Sequence, residues 1–179
     1  MTLKCLVLGG FVCALSVVCL TARAVGMDHR TFQVGGMEVV ALADVGMDPE
    51  APPRPDLLVG LKPGDAAKYL VPGGMANSIN CFVVKMNGRN ILFDTGLGLG
   101  GNRGGEMLAS LAAAGLKPGD IDVVCITHFH FDHVGGLLRD GAPVFPTARL
   151  LVPRMEVERN GKGNEAFLSV YSDRLTGFD

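Results

Sequence analysis

Apolar residues occur in short runs along the chain after residue 30, and turn-forming pairs separate several of these runs. Gly35 and Gly36 divide one pair of runs, which predicts a β-hairpin. Asn87 and Gly88 divide another, and Asn-Gly is a strong signal for a two-residue hairpin turn. Two later runs have no hairpin partner and predict separate strands. The predicted strands cover residues 32–34, 37–43, 79–86, 90–93, 122–126 and 149–152.

Helical spacing is expected in the second half of the chain. Residues 106–114 carry apolar side chains on one side, and a glycine suited to ending a helix follows them. Pro153 suits the first turn of a helix that runs to residue 160 and stops at Gly161. Residues 165–175 are expected to form one more helix, and the proline-rich residues 47–55 a loop. The mixture of strands and helices predicts an α/β (α+β) fold.

The first 24 residues have the pattern of a secretory signal peptide. Lys4 gives a positive start, an uncharged apolar run follows, and Ala22 and Ala24 form the small-residue pattern that precedes a cleavage site. The apolar run is shorter than the roughly 20 residues that a membrane-spanning helix needs, which disfavours an uncleaved anchor. Translation from Met27 would instead give a cytoplasmic protein. We therefore expect a domain at residues 25–179 that is periplasmic or secreted, without stable membrane insertion after cleavage.

The composition is that of a globular domain, with 48% hydrophobic and 19% charged residues. A formal net charge of −2 and the lack of a basic run give no electrostatic case for nucleic acid as a partner. Cys81 and Cys125 both lie in apolar runs of the expected domain. Buried, unpaired thiols are therefore expected, with a disulfide as the alternative.

Residues 127–133 contain three of the four histidines of the chain and one aspartate. Histidine and aspartate are costly to bury without partners, so core packing explains this cluster poorly. His128, His130 and Asp132 recur at every second position, which suits an extended segment with these side chains on one side. His133 follows directly and would face a second centre. Because Zn²⁺ and similar metals take imidazole and carboxylate ligands, the cluster predicts a metal site.

Residues 127–137, Thr-His-Phe-His-Phe-Asp-His-Val-Gly-Gly-Leu, resemble the H-x-H-x-D-H signature of the metallo-β-lactamase superfamily. Residues 91–96, Ile-Leu-Phe-Asp-Thr-Gly, resemble the upstream aspartate motif of the same superfamily. Within the superfamily, the segments at 77–80 and 145–148 look most like the branch that holds methyl parathion hydrolase and the acyl-homoserine lactonases. The resemblance implies an αββα sandwich, of which this chain would supply the N-terminal half.

The resemblance also implies a role for each matched residue. His128 and His130 would bind a first metal ion, and Asp132 and His133 a second. Asp132 would in addition handle a proton at the bridging water, which makes it the candidate catalytic residue. Asp94 would not bind the metal itself. Its carboxylate would hold the metal loop (residues 127–133) in position. The family uses two Zn²⁺ ions in a complete site, and Mn²⁺, Fe²⁺ or Co²⁺ would be possible substitutes.

A metal-dependent hydrolase is the function that these expectations favour. Two cations that share a water lower its pKa to about 7 and polarise a carbonyl or phosphoryl oxygen. This chemistry suits hydrolysis of a small-molecule lactone, ester or phosphotriester. No Gly-x-Ser-x-Gly segment offers a competing nucleophile.

The chain departs from the family pattern after His133, because it contains no later histidine. The pattern has a further histidine, a metal-bridging aspartate, a final histidine and a second half of the sandwich. We therefore expect a truncated hydrolase with impaired activity and an exposed apolar sheet face that favours self-association. The alternative is a catalytically inactive fragment that binds a metal or a partner.

Overall fold

The computed structural model describes residues 29–45, 60, 62, 64, 78–98 and 105–179. The expected signal peptide at residues 1–24 and the expected loop at residues 47–55 lie outside the described residues. No helix among the described residues is both long enough and apolar enough to cross a bilayer.

A seven-stranded mixed sheet is the framework of the described part of the chain. The strands in chain order are β1 (His29–Val34), β2 (Met37–Val45), β3 (Ile79–Met86), β4 (Arg89–Phe93), β5 (Val123–Cys125), β6 (Leu138–Arg139), β7 (Ala142–Pro143), β8 (Arg149–Pro153) and β9 (Leu175–Phe178). The large sheet has the order β1-β2-β3-β4-β5-β8-β9, and β6 pairs with β7 as a separate two-stranded ribbon.

The first four strands of the sheet are antiparallel and confirm both predicted hairpins. In the first hairpin Val34 pairs with Met37 across the two glycines. In the second, Asn87 and Gly88 have φ angles of 50° and 72°. A type I′ turn requires positive φ at both central residues, and asparagine and glycine tolerate that conformation best.

The other half of the sheet is parallel, from β4 through β5 and β8 to β9. Parallel neighbours cannot be joined by a tight turn, so longer connections carry the helices. The helices are α1 (Met107–Ala113), α2 (Phe131–Val134), α3 (Arg154–Asn160) and α4 (Glu165–Val170). Gly115 has a φ of 78° just after the end of α1, as expected for the glycine that ends this helix. Together the two halves confirm the predicted mixed α/β architecture.

The two faces of the large sheet differ in exposure. Successive residues of a strand point to opposite faces, so each strand contributes to both. One face is covered, and its residues are at most 1% exposed: Val40, Leu42, Cys81, Val83, Leu92, Val124 and Leu150. The other face carries Phe32, Val34, Phe82 and Met86, which are 36–46% exposed. Val39 and Val123 on the same face are only 8% exposed, so the exposure is greatest toward β1 and the hairpin of β3 and β4. Self-association through this face stays a prediction.

The helix predicted for residues 165–175 is too long, because α4 ends at Val170 and a strand begins at Leu175. Tyr171 is fully buried, and its hydroxyl donates to the carbonyl of Leu137 at 3.1 Å. This anchor turns the chain, and Leu175 then pairs with Leu150 of β8. Pairing along an open sheet edge therefore outweighs local helical preference, as tertiary context often does.

Cys81 and Cys125 are both free, which confirms the expectation of unpaired thiols. Cys81 lies on the covered face of the sheet, whereas Cys125 pairs with Phe93 on the opposite face. Burial raises the pKa of the Cys81 thiol and of the Cys125 thiol. A raised thiol pKa leaves little thiolate at neutral pH, so neither cysteine is prepared to act as a nucleophile.

Candidate metal centre

The two sequence motifs meet at one edge of the sheet. β4 and β5 are parallel neighbours, with Phe93 beside Cys125. The chain segments that follow the two strands therefore leave the sheet side by side, and the backbone N–H of Asp94 donates to the carbonyl of Cys125 at 3.0 Å. In α/β sheets, the carboxyl ends of parallel strands are the usual position of a functional site.

Asp94 is the polar centre of this edge. It is 9% exposed, and its φ of 59° lies in the left-handed region that aspartate tolerates. Its Oδ1 accepts the backbone N–H of Thr127 at 2.8 Å. Its Oδ2 accepts from the Thr127 hydroxyl at 2.9 Å and from Nδ1 of His133 at 2.8 Å. One carboxylate thus fixes both ends of the histidine cluster, as the expected supporting role would require.

The backbone of the cluster changes direction after His130. His130 has extended angles (φ −66°, ψ 149°), and α2 begins at the next residue. The prediction of an extended segment that includes Asp132 is therefore wrong, since Asp132 lies in α2. The physical reason is local: the carbonyl of His130 accepts the N–H groups of His133 at 2.9 Å and Val134 at 3.2 Å, which winds the chain into a turn.

The four predicted ligands lie close together as two pairs of donor atoms. Nε2 of His128 lies 3.0 Å from Nδ1 of His130. Nε2 of His133 lies 3.6 Å from Oδ2 of Asp132. The rings of His128 and His133 connect the pairs, with 3.9 Å between their centroids.

Within each pair, the separation of the donor atoms is compatible with two ligands of one metal ion. Two donors that share a tetrahedral zinc at about 2.0–2.1 Å lie roughly 3.4 Å apart, which is close to both observed distances. A carboxylate only accepts hydrogen bonds, so the contact with Asp94 places the proton of His133 on Nδ1 and leaves Nε2 for a ligand. The donors stand in pairs, however, and no group of three or more His, Cys, Asp and Glu side chains is arranged to hold an ion within the described ranges.

Glycines allow the loop after β4 to approach the metal loop closely. An ideal Cβ at Gly136 would collide with the carbonyl oxygen of Thr95. The backbone N–H and the hydroxyl of Thr95 both donate to the carbonyl of His133, each at 2.8 Å. Only glycine permits this approach at position 136.

Asp44 holds the loop that follows β4, and this role was not identified from the sequence. It is fully buried, and its carboxylate accepts the backbone N–H groups of Leu97 at 2.8 Å and Met107 at 3.1 Å. These contacts tie the loop after β4 to the start of α1. The available signal was an acidic residue between the apolar Ala43 and Val45 of β2, since an acid is buried there only if it is hydrogen-bonded.

Glu156 is the second residue that sequence reasoning missed. It lies in the first turn of α3, and its Oε2 accepts the backbone N–H of Phe129 at 2.8 Å. The side chain of Asn160 donates to the same oxygen at 3.0 Å. The hydrogen bond from Asn160 and then that from Phe129 lower the pKa of Glu156, and the nearby His128 and His130 add to the effect. Nothing in the sequence marked this acid, because its partner is a backbone group 27 residues away.

In the comparison with known proteins, the family match falls on the part of the chain that contains both sequence motifs. The profile of the metallo-beta-lactamase superfamily matches residues 74–139, which include Asp94 and all four residues of the cluster. The hydrolase AbOPH of the beta lactamase superfamily has a similar structure, with a TM-score of 0.66 and 26% identity over 84% of this chain and 60% of that one. AidC, a dizinc quorum-quenching lactonase, gives a TM-score of 0.63 and 22% identity over 84% of this chain and 61% of its own.

A probable metal-dependent hydrolase from Staphylococcus aureus is also similar in structure, with a TM-score of 0.65 and 20% identity over 83% of this chain and 61% of that one. The curated relatives match shorter stretches. Ribonuclease Z of Agathobacter rectalis is 44% identical over 54 residues, which is 30% of this chain and 15% of the relative. Ribonuclease TTHA0252 of Thermus thermophilus is 35% identical over 95 residues, or 49% of this chain and 21% of the relative.

The described residues therefore have the metallo-β-lactamase fold, as the sequence motifs implied. The chain spans about 60% of the length of the similar solved structures. It spans 15–21% of these curated relatives.

Proposed function

We propose that this chain belongs to a metal-dependent hydrolase of the metallo-β-lactamase superfamily that acts on a small-molecule lactone, ester or phosphotriester. The proposal rests on the two pairs of donor atoms that follow the carboxyl end of β5. His128 and His130 form one pair, and Asp132 and His133 form the other. The named activities of the similar proteins, a dizinc lactonase and a probable metal-dependent hydrolase among them, support this class of chemistry.

In this proposal each of the two pairs would supply ligands to a Zn²⁺ ion, with Mn²⁺, Fe²⁺ or Co²⁺ as possible substitutes. A bound metal would supply a water of lowered pKa and an electrophilic contact for the substrate oxygen. Asp132 is partly exposed, so its free carboxylate oxygen is able to take a proton from solvent or substrate. Asp94 keeps His133 in one tautomer, and the Thr127 hydroxyl lies 3.1 Å from Nδ1 of His128.

We also propose that the chain belongs to the branch of methyl parathion hydrolase and the acyl-homoserine lactonases. AbOPH and AidC are similar over 84% of this chain, far more than the matched parts of the ribonucleases. AidC was solved with a homoserine product, which supports a small-molecule substrate here.

A phosphodiester of RNA is the second candidate substrate, because the curated relatives are ribonucleases. Their matched stretches are short, at 30% and 49% of this chain. The net charge of −2 gives no electrostatic case for nucleic acid, so the small-molecule substrate is favoured. The absence of a nucleic-acid partner stays a prediction.

The test is an activity panel on the purified chain with Zn²⁺, Mn²⁺ or Co²⁺. The panel contains an acyl-homoserine lactone, an aryl ester, an aryl phosphotriester and an aryl phosphodiester, together with elemental analysis of bound metal. We expect bound metal that is lost in the double variant His128→Ala and His130→Ala, and slow turnover of the first three substrates. Metal content that is unchanged in the double variant would contradict the site.

Metal binding without turnover would support the alternative of a catalytically inactive metal-binding or partner-binding fragment. Turnover of the phosphodiester alone would favour the ribonuclease-like candidate. Export to the periplasm or medium is also proposed, and N-terminal sequencing of the exported product should begin at Val25.

A further inference from the structure

The Glu156 side chain contacts the backbone of the residue that lies between two predicted ligands, His128 and His130. Its Oε2 accepts the N–H of Phe129 at 2.8 Å, and Phe129 is the residue between His128 and His130. The contact joins two distant parts of the fold, since Glu156 belongs to α3 after β8, whereas Phe129 follows β5.

The side chain of Phe129 is anchored in the apolar core. Phe129 is 6% exposed, and its ring packs edge-on against Phe167 with 5.2 Å between the centroids. The flanking His128 and His130 are less buried. The backbone at Phe129 is therefore held by an apolar contact through its ring and by a carboxylate through its N–H group.

The Glu156 carboxylate is itself held in place. Asn160, one helical turn later, donates from Nδ2 to the same Oε2 at 3.0 Å. The contact with Asn160 already restricts the carboxylate, so the carboxylate loses less freedom when it accepts the Phe129 N–H group. A bond of an N–H group to a carboxylate is also stronger than one to a neutral acceptor.

We propose that Glu156 is a positioning residue that fixes the backbone between His128 and His130 so that Nε2 of His128 and Nδ1 of His130 stay at a chelating separation. The inference rests on the proposed function in that it takes these two histidines as ligands. It assigns to α3 a part in metal affinity that the histidine motif alone does not contain. Groups that orient ligands in this way typically contribute about 10- to 100-fold in metal affinity.

The test measures the zinc dissociation constant of the full chain by competition with a chromophoric chelator. We expect Glu156→Ala to weaken zinc binding about 10- to 100-fold. Glu156→Gln keeps an oxygen acceptor for the Phe129 N–H group, so it should recover most of the affinity. Glu158→Ala is the matched control, because Glu158 is an exposed acid on the same helix, and it should leave the constant unchanged.

A second measurement keeps the inference testable if Glu156→Ala is unstable. Hydrogen exchange of the Phe129 amide in the metal-free protein should become faster in Glu156→Ala and, to a smaller extent, in Asn160→Ala. An unchanged zinc constant in a folded Glu156→Ala variant would overturn the inference, as would equal weakening by Glu158→Ala. His128→Ala distinguishes failure of the proposed function from failure of the inference about Glu156. If His128→Ala leaves zinc affinity unchanged, the proposed function fails. If His128→Ala weakens zinc binding and Glu156→Ala does not, only the role of Glu156 fails.

Discussion

The two parts of the metal loop are held by different physical means. The His-Phe-His segment (residues 128–130) rests on the buried ring of Phe129 and on a hydrogen bond to a helix that comes later in the chain. The Asp-His pair (residues 132–133) lies on the short helix α2 and is held by Asp94 and Thr95, which follow β4. An apolar anchor fixes where the first segment lies, whereas the polar contacts of the second also fix which histidine nitrogen carries the proton.

Phe129→Ala should have the largest effect, because it removes the apolar anchor of the His-Phe-His segment. Truncation of a buried phenylalanine costs about 3–5 kcal/mol of unfolding free energy. Phe131→Ala is the control, since Phe131 is 56% exposed and the change should stay within about 0.5 kcal/mol. Denaturant unfolding of the two variants tests the contrast, and equal losses would show that the ring of Phe129 is not an anchor.

Gly136→Ala should disturb the Asp-His pair, because the new Cβ meets the carbonyl oxygen of Thr95. A backbone atom cannot move aside as a flexible side chain would, so we expect a loss of about 3 kcal/mol. Gly119→Ala is the matched control, with no heavy atom within 4 Å of the added Cβ. Thermal or denaturant unfolding measures both, and a stable Gly136→Ala variant would argue against the close approach of the two loops.

Asp94→Asn tests the polar support of the Asp-His pair at nearly constant shape. Loss of the carboxylate weakens its hydrogen bonds to Thr127 and His133, so we expect about 2 kcal/mol less stability. The larger signature is in metal binding, which should weaken about 10- to 100-fold as His133 loses its fixed tautomer. NMR of the imidazole nitrogens should show this change at His133 and little change at His130. Unchanged His133 signals would refute the proposed support.

Thr127→Val should have the smallest effect, because it removes only the hydroxyl that links the two parts of the loop. That hydroxyl contacts Asp94 at 2.9 Å and lies 3.1 Å from Nδ1 of His128 and 3.3 Å from Nδ1 of His133. One hydrogen bond contributes about 1 kcal/mol, which is the expected loss of stability. Thr127→Ser restores a hydroxyl and should recover most of it. A Val variant as stable as the Ser variant would show that the hydroxyl contributes nothing.

The sequence determined most of the local structure. The hairpin turns at Gly35 and Asn87, the strand at residues 79–86 and the end of α1 before Gly115 all follow from local backbone preferences. The clustering of His128, His130, Asp132 and His133 was also available, because these residues are neighbours in the chain.

Tertiary structure decided what lies behind that cluster. The role of Glu156 leaves no local signal in the sequence, since its partner is the N–H group of Phe129 on another element. Asp44 likewise accepts the N–H group of Leu97, 53 residues away. The same holds for residues 171–178, where the buried Tyr171 and the edge of β8 replace the expected helix with a turn and a strand. The sequence records short-range backbone preferences and neighbouring ligands, but hydrogen bonds to distant backbone groups exist only once the sheet brings the strand ends together.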